Sequence, residues 1–399
     1  VSAATHAGSR PSVGAKQLGW LGIGLGALAW FIALPPLLIR TPVPSLLLAA
    51  MAVGAGVVAV RGEEKRLGWG AVAAGLIGAL GAVVATRSGE GNLEDVFVWS
   101  ALIAAMLRFA TPLTFAALGG ILSERSGVIN IGLEGMMLMG AFFGILGADL
   151  TGSWLGGAVI GMAAGAAMGL LHAVLSISLR ADQVVGGTAI NLLALGITGY
   201  VFIAHYGEQG TPGDVPRVPD LSLPLIKEIP FVGNAIGEAS LLTWVALLLV
   251  PLLALYLFRT PGGLRLRSVG EKPRAADSVG VPVLRTRYLA VISSGVLAAL
   301  GGVYLSIALV GSFNQGMTDG RGFIALAAVI FGNWKPVGAL AGALLFGFSS
   351  AVGQRLPAFS ESLAVLFQAL PYVLTLVVVA GVIGRSRPPA AIGVPYVKE

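Results

Sequence analysis

The residues of this chain that could do chemistry are few, and they interrupt apolar sequence. Asn130 and Glu134 lie in one polar break, and Asn314, Gln315, Asp319 and Arg321 lie in a second. Thr188 and Asn191 sit inside an apolar run. Polar groups at membrane depth are costly to bury and mark either function or internal ties. Amides, hydroxyls and a few charges on unwound backbone can hydrogen-bond a neutral, polyhydroxylated solute. The same groups can also fasten helices: Asn130 and Asn191 through their amides, Glu134 to a backbone group or to Arg125.

Catalytic arrangements are missing. There is no HExxH and no G-x-S-x-G, and His6, His172 and His205 are too scattered to ligate one metal. The chain has no Cys, which excludes disulfides, thiolate metal sites and Cys nucleophiles. The phosphate-cradling G-x-x-x-x-G-K-[ST] loop is absent too. ATP-driven work would therefore need another subunit to supply the ATPase. The residues describe a chain that is not an enzyme and binds no metal or cofactor itself.

The surrounding sequence explains the scarcity. Of 399 residues, 56% are hydrophobic and 11% charged, against about 25% charged in soluble domains. The fold class is all-α, a polytopic transmembrane helical bundle. Apolar runs at 18–39, 43–60, 67–86, 97–121, 132–148, 154–178, 184–205, 239–258, 288–312, 337–353 and 361–383 read as spans. The run 323–333 covers only roughly 16 Å as a helix, short of the ~30 Å core, and reads as a half-helix. This gives 10–12 passes with both termini cytoplasmic. The first run is longer than a signal-peptide core, and no clear A-x-A cleavage site follows it. Basic residues cluster between spans, which suits positive-inside topology and anionic membrane lipids rather than nucleic acid.

By composition the chain divides into a flexible cytoplasmic arm at 1–17, an accessory transmembrane hairpin at 18–66, a core at 67–384 and a cytoplasmic tail at 385–399. Within the core, 206–238 is rich in Pro, Gly and acids and fits the outside. Residues 259–287 carry seven basic side chains against two acids and fit the inside. In the middle of this loop, Pro273 suits an early helical position, Ala275 and Ala276 favour helix and Gly280 can end it. A short exposed helix presenting Glu271, Arg274 and Asp277 suits docking on a soluble partner better than a bare linker.

Two halves of the core look alike. Each has a long span, a polar break, a short apolar helix, a span carrying glycines and a further span. The first such Gly-bearing span holds Gly157, Gly161, Gly165 and Gly169 at i, i+4 spacing, a smooth stripe for close packing. Matching elements run in opposite directions. Inverted repeats with broken helices are a transporter signature, with the solute site at the repeat interface.

Four ordered stretches carry a resemblance over roughly 97–384: RSGVINIGLEGMMLMGAF, LRADQVVGGTAINLLALG, GGLRLRSVGEKPRAADSVG and GMTDGRGFIALAAVIFGNWKPVGALAGALLFG. They are similar to the permease subunits of bacterial ABC importers, in the family of ribose, simple-sugar and branched-chain amino-acid permeases. NIGLEGMM together with GRGFIALAAVIFGNW is closest to its nucleoside and simple-sugar branch. The resemblance implies that Glu271, Pro273, Arg274, Ala275, Ala276, Asp277 and Gly280 form the coupling helix for an ATPase subunit. It also implies a second permease subunit, identical or different, an extracellular solute-binding protein and location in the bacterial inner membrane. ATP and Mg would enter through the ATPase partner. The polar breaks would line the solute path.

Two other readings remain at this stage: a branched-chain amino-acid ABC permease, and a secondary transporter without an ATPase. The second would need an intramembrane chain of carboxylates for proton coupling, and the sequence offers none.

Overall fold

The computed structural model describes residues 14–32, 42–62, 64–87, 99–222, 237–355, 369 and 387–397. The expected span at 361–383, most of the N-terminal arm and the segments 88–98 and 223–236 lie outside the described residues. The chain divides into two compact units, Val1–Trp99 with Val352–Gly384, and Ser100–Ala351 with Arg385–Glu399.

The first unit contains α1 (Ala15–Phe31), α2 (Val43–Arg61) and α3 (Lys65–Arg87). Its interior is made of small residues: Gly19, Gly22, Gly26 and Ala29 on α1, and Ser45, Ala49, Ala52, Gly56 and Ala59 on α2. A Cβ on Gly56 would come within 2.6 Å of the Gly68 carbonyl oxygen, so the backbones of α2 and α3 nearly touch. Large apolar side chains such as Leu21, Leu47, Trp69 and Leu80 point outward. This is the reverse of a soluble bundle. Lipid solvates the large side chains, and close backbone packing holds the helices.

The second unit contains α4 (Trp99–Arg125), α5 (Leu133–Thr151), α6 (Trp154–Ala173), α7 (Gln183–Tyr206) and α8 (Leu241–Arg259). It continues with α9 (Pro261–Glu271), α10 (Pro273–Ser278), α11 (Val283–Val303), α12 (Arg321–Phe331) and α13 (Pro336–Arg355). Two helices end in π turns, α6 at Val174–Ser178 and α11 at Tyr304–Val310. Among the described residues of the whole chain, nine helices are long and apolar enough to cross a membrane, and Arg321–Phe331 is a shorter apolar helix. That confirms the polytopic all-α class.

One small addition to an all-α chain is an antiparallel strand pair, β1 (Asp220–Ser222) and β2 (Glu238–Ser240). β1 lies in the 206–238 segment expected to be extracellular, while β2 starts at its last residue and takes in Ala239 and Ser240, so the span expected from 239 begins as helix only at Leu241. Val218 donates its amide to Ile307 of α11 at 3.1 Å, and Val215 and Val218 are buried.

α4 and α11 run antiparallel: a Cβ on Gly119 would meet the Ser294 carbonyl at 2.6 Å, and one on Gly301 the Pro112 carbonyl at 2.8 Å. The glycine stripe of α6 seats that helix on both α5 and α11. Added Cβ atoms would meet Gly144 O at 2.4 Å from Gly157, Gly140 O at 2.9 Å from Gly161, Gly295 O at 2.4 Å from Gly165 and Val291 O at 2.9 Å from Gly169.

Candidate functional site

The first break, residues 126–132, carries non-helical backbone between two spans. Such backbone is tolerated at membrane depth only when its polar groups are satisfied by protein or water. Side chains from three other helices do this. Arg287 of α11 donates Nε to the Ser126 carbonyl at 3.1 Å. Gln183 of α7 accepts the Ile129 amide at 2.8 Å, and a ring nitrogen of His172 of α6 meets the Ile129 carbonyl at 2.8 Å. Asn191 of α7 donates to the Ile131 carbonyl at 3.1 Å and accepts the Gly135 amide at 2.8 Å. Asn130, fully buried, donates to Ser294 of α11 at 2.9 Å, and its Oδ1 has no partner. The break is therefore fastened along its length.

Past the break, Glu134 opens α5. Its carboxylate accepts the Gly320 amide at 2.9 Å and the Gly322 amide at 2.6 Å. These belong to the N-cap and first turn of α12. The orphan amides of a helix start and its positive dipole end favour an anion there. The spanning helix α5 and the shorter α12 thus begin side by side, joined by one carboxylate. Arg125 is not its partner: Arg125 Nε donates to the Trp334 carbonyl at 3.0 Å.

The other polar residues are placed differently. Arg321, half-buried, donates to the carbonyls of Met317 and Thr318 at 2.9 and 3.1 Å. Asn314, Gln315 and Asp319 are exposed on the second break, where Asp319 adopts φ 45°. Thr188 is exposed on α7 and donates to its own helix at Val184 O, 2.9 Å. The structure therefore brings Asn130, Glu134, Asn191 and Arg321 to the breaks and leaves Thr188, Asn314, Gln315 and Asp319 on the surface of this subunit.

The basic loop is largely helical. Thr260 accepts the Gly263 amide at 3.1 Å and caps α9, with Pro261 at its first position. Pro273 starts α10, and Gly280 follows with φ 84°. Glu271, Arg274, Ala275 and Gly280 are exposed, Pro273 and Asp277 are half-buried, and Ala276 is buried with Val269, Val283 and Tyr396. Arg287 is not a loop charge, as the boundary at 287 implied. It is 1% exposed inside α11, because the Ser126 and Val394 carbonyls receive its guanidinium.

This helical pair is seated on the start of the first break. A Cβ on Gly270 would lie 2.1 Å from the Arg125 carbonyl oxygen. The C-terminal segment lies over the same junction: Ala391 donates to Gly270 O at 2.9 Å, Gly393 to Gly127 O at 3.1 Å and Ala390 to the Glu271 carboxylate at 3.2 Å. The turn between α12 and α13 joins as well, with Trp334 Nε1 donating to Glu124 at 2.5 Å and Asn333 Oδ1 accepting the Arg387 amide at 2.9 Å. Sequence reasoning missed Gln183, Ser294 and Glu124, whereas His172 is the packed, hydrogen-bonded histidine that its Gly-rich span suggests. Among the described residues, no group of three or more His, Asp or Glu could hold a metal ion.

A bundle with two broken helices meeting at a carboxylate and a helical loop seated on one break is the architecture of a membrane permease. Residues 102–379 match the family model for the branched-chain amino acid transport system permease component, and the chain belongs to that family. Its relatives include the guanosine ABC transporter permease protein NupQ of Bacillus subtilis (strain 168), 42% identical over 77% of this chain and 99% of that protein. The nucleoside ABC transporter permease protein NupC of Lactococcus lactis subsp. cremoris (strain MG1363) is 40% identical over 75% of this chain and 97% of its own length. The putative glucose ABC transporter permease protein TsgC13 of Haloferax volcanii is 39% identical over 66% of this chain. No solved structure matches. The chain is thus a multi-pass transport subunit of the ABC class, as its four motifs suggested, and not an enzyme.

Proposed function

We propose that this chain is one permease subunit of an ABC importer that carries nucleosides across the bacterial inner membrane. The working complex contains a second permease subunit, two ATP-binding subunits that hold ATP and Mg, and an extracellular solute-binding protein. Both termini lie in the cytoplasm with α9 and α10. The observation that carries the reading is the seat of Gly270 on the Arg125 carbonyl, directly before the first break, in a chain 40–42% identical to permeases named for guanosine and nucleosides.

The mechanism follows from that contact. Closure of the ATPase dimer displaces α9 and α10. Close backbone packing transmits the displacement to Arg125 and the break. The break cannot stretch, since His172, Gln183 and Asn191 hold it, so it moves with α6 and α7. Glu134 carries the movement to α12. The exposed residues Thr188, Asn314, Gln315 and Asp319 face the second permease subunit and the solute path between the two. The test is uptake of labelled guanosine, uridine, ribose, glucose and leucine by cells carrying the complete operon. Saturable guanosine or uridine uptake is expected. Saturable leucine uptake alone would sink the nucleoside reading.

A further inference from the structure

A cavity of about 240 Å³ lies within the second unit, walled by α4, the strand pair, the start of α8 and the π turn of α11. Its floor is hydroxylated: Tyr304 is 1% exposed, Thr243 3% and Ser240 8%. Beside it, Thr111 Oγ1 donates to Thr243 Oγ1 at 3.3 Å. Ser240 is the exception, because its buried Oγ has no partner. An unmade buried hydrogen bond is destabilising, so its place on a cavity wall points to a ligand that completes it.

The charges stand at the rim, where Arg108, Asp220 and Glu238 are exposed. Asp220 pairs with Ser240 across the strands, and Glu238 precedes Ser240 by two residues. All three side chains therefore stand on one face of the pair. An ion driven to the floor would meet only neutral hydroxyls, which do not repay its lost hydration. A neutral group with both donors and acceptors fits. At the rim, a vicinal diol can give both protons to one carboxylate, which only accepts. The volume suits one small solute rather than a peptide.

We propose that this cavity is a second solute site, one that binds a neutral solute through a vicinal diol, such as the ribose of a nucleoside. The π turn that walls it, Tyr304–Val310, leads directly into the second break. The cavity therefore holds solute one element before the breaks. The identity of the diol as ribose rests on the nucleoside reading; the diol site itself does not.

The experiment is equilibrium dialysis of the purified, complete membrane complex in lipid nanodiscs, without nucleotide or binding protein, against labelled guanosine, ribose and leucine. Wild type is compared with Ser240→Ala and Asp220→Asn, and thermal melting reports folding. Since Ser240 Oγ satisfies nothing in the empty protein, Ser240→Ala should melt no lower than wild type. Both variants should bind guanosine about tenfold or more weakly, the loss expected for a hydrogen bond to a buried or charged group. If ribose binds, guanosine does not and the variants weaken ribose, the site stands and the nucleoside reading falls. If guanosine binds wild type and both variants equally, the site falls and the nucleoside reading stands. Binding of leucine alone overturns both, and failure of every probe to bind wild type overturns the site.

Discussion

Glu134 Oε2 accepts the backbone amide of Gly322 at 2.6 Å, across an interval of 188 residues in the chain. One carboxylate at the start of α5 thereby completes the start of α12. Gly320, the N-cap residue of α12, has no side chain to cap with. Glu134→Gln keeps the size but offers one acceptor oxygen for two amides and removes the charge. Hydrogen bonds to charged groups contribute about 1.5–3 kcal/mol each, so uptake should fall roughly tenfold or more. Co-purification with the ATPase should persist. Wild-type uptake by the variant would show that α12 does not depend on this carboxylate.

Asn191 and Thr188 lie on the same helix and should behave oppositely. Asn191→Leu removes a donor from Ile131 O and an acceptor from Gly135 N. Leaving such groups unsatisfied costs about 1–3 kcal/mol, and the melting temperature of the purified complex should drop measurably. Thr188→Val removes only a bond to its own helix and should change stability by less than about 0.5 kcal/mol. If Thr188→Val nonetheless alters the KM for uptake, Thr188 faces the solute. Unchanged uptake removes it from the path.

Much of this arrangement was legible in the sequence because it rests on local physics. The length of 323–333 against the bilayer gave the half-helix, and the i, i+4 glycines of α6 gave its packing stripe. Pro273 and Gly280 marked the limits of α10. What could not be read depends on residues far apart in the chain. No spacing links Gln183, His172 and Arg287 to residues 126–131, because their common role is to satisfy backbone left bare by the break. α9 was read as polar loop on its charge, although Thr260 followed by Pro261 is a cap-and-start signal. The terminal segment has no periodicity at all. Its backbone is held by bonds to Gly127, Gly270 and the side chains of Glu271, Asn333 and Arg287, none of which needs a particular side chain on the segment itself.

Gly270 and Gly165 test whether close backbone approach transmits movement or only packs. Gly165→Leu should prevent assembly, because even a Cβ would meet Gly295 O at 2.4 Å and the Cβ of Ala299 at 2.2 Å. Gly199→Ala on α7 is the control, with nothing within 4 Å of the added atom. Gly270→Ala should differ from both. It pushes α9 off Arg125 without disturbing the membrane helices. Assembly should survive while solute no longer stimulates ATP hydrolysis. Lost assembly in Gly270→Ala would make the contact structural only.

Glu271 stands where two roles meet, and a pair of variants separates them. It is exposed at the end of α9, available to a partner, and it also accepts the Ala390 amide at 3.2 Å. Glu271→Lys reverses the charge at the docking face and breaks the tie to the tail. Deletion from residue 387 onward breaks the tie, together with the tail's bonds to Gly270, Gly127, Asn333 and the Arg287 guanidinium, and leaves the carboxylate in place. If Glu271 docks the ATPase, the charge reversal should abolish co-purification at low salt, while the deletion retains it. A truncated chain that loses the ATPase to the same extent would mean that the tail's hold on Gly270 and Glu271 sets the shape of the docking element. The partner would then read that shape and not the charge. Raising the salt distinguishes the outcomes further: an exposed charge contact weakens beyond a screening length of about 8 Å at physiological ionic strength, and a packed backbone tie does not.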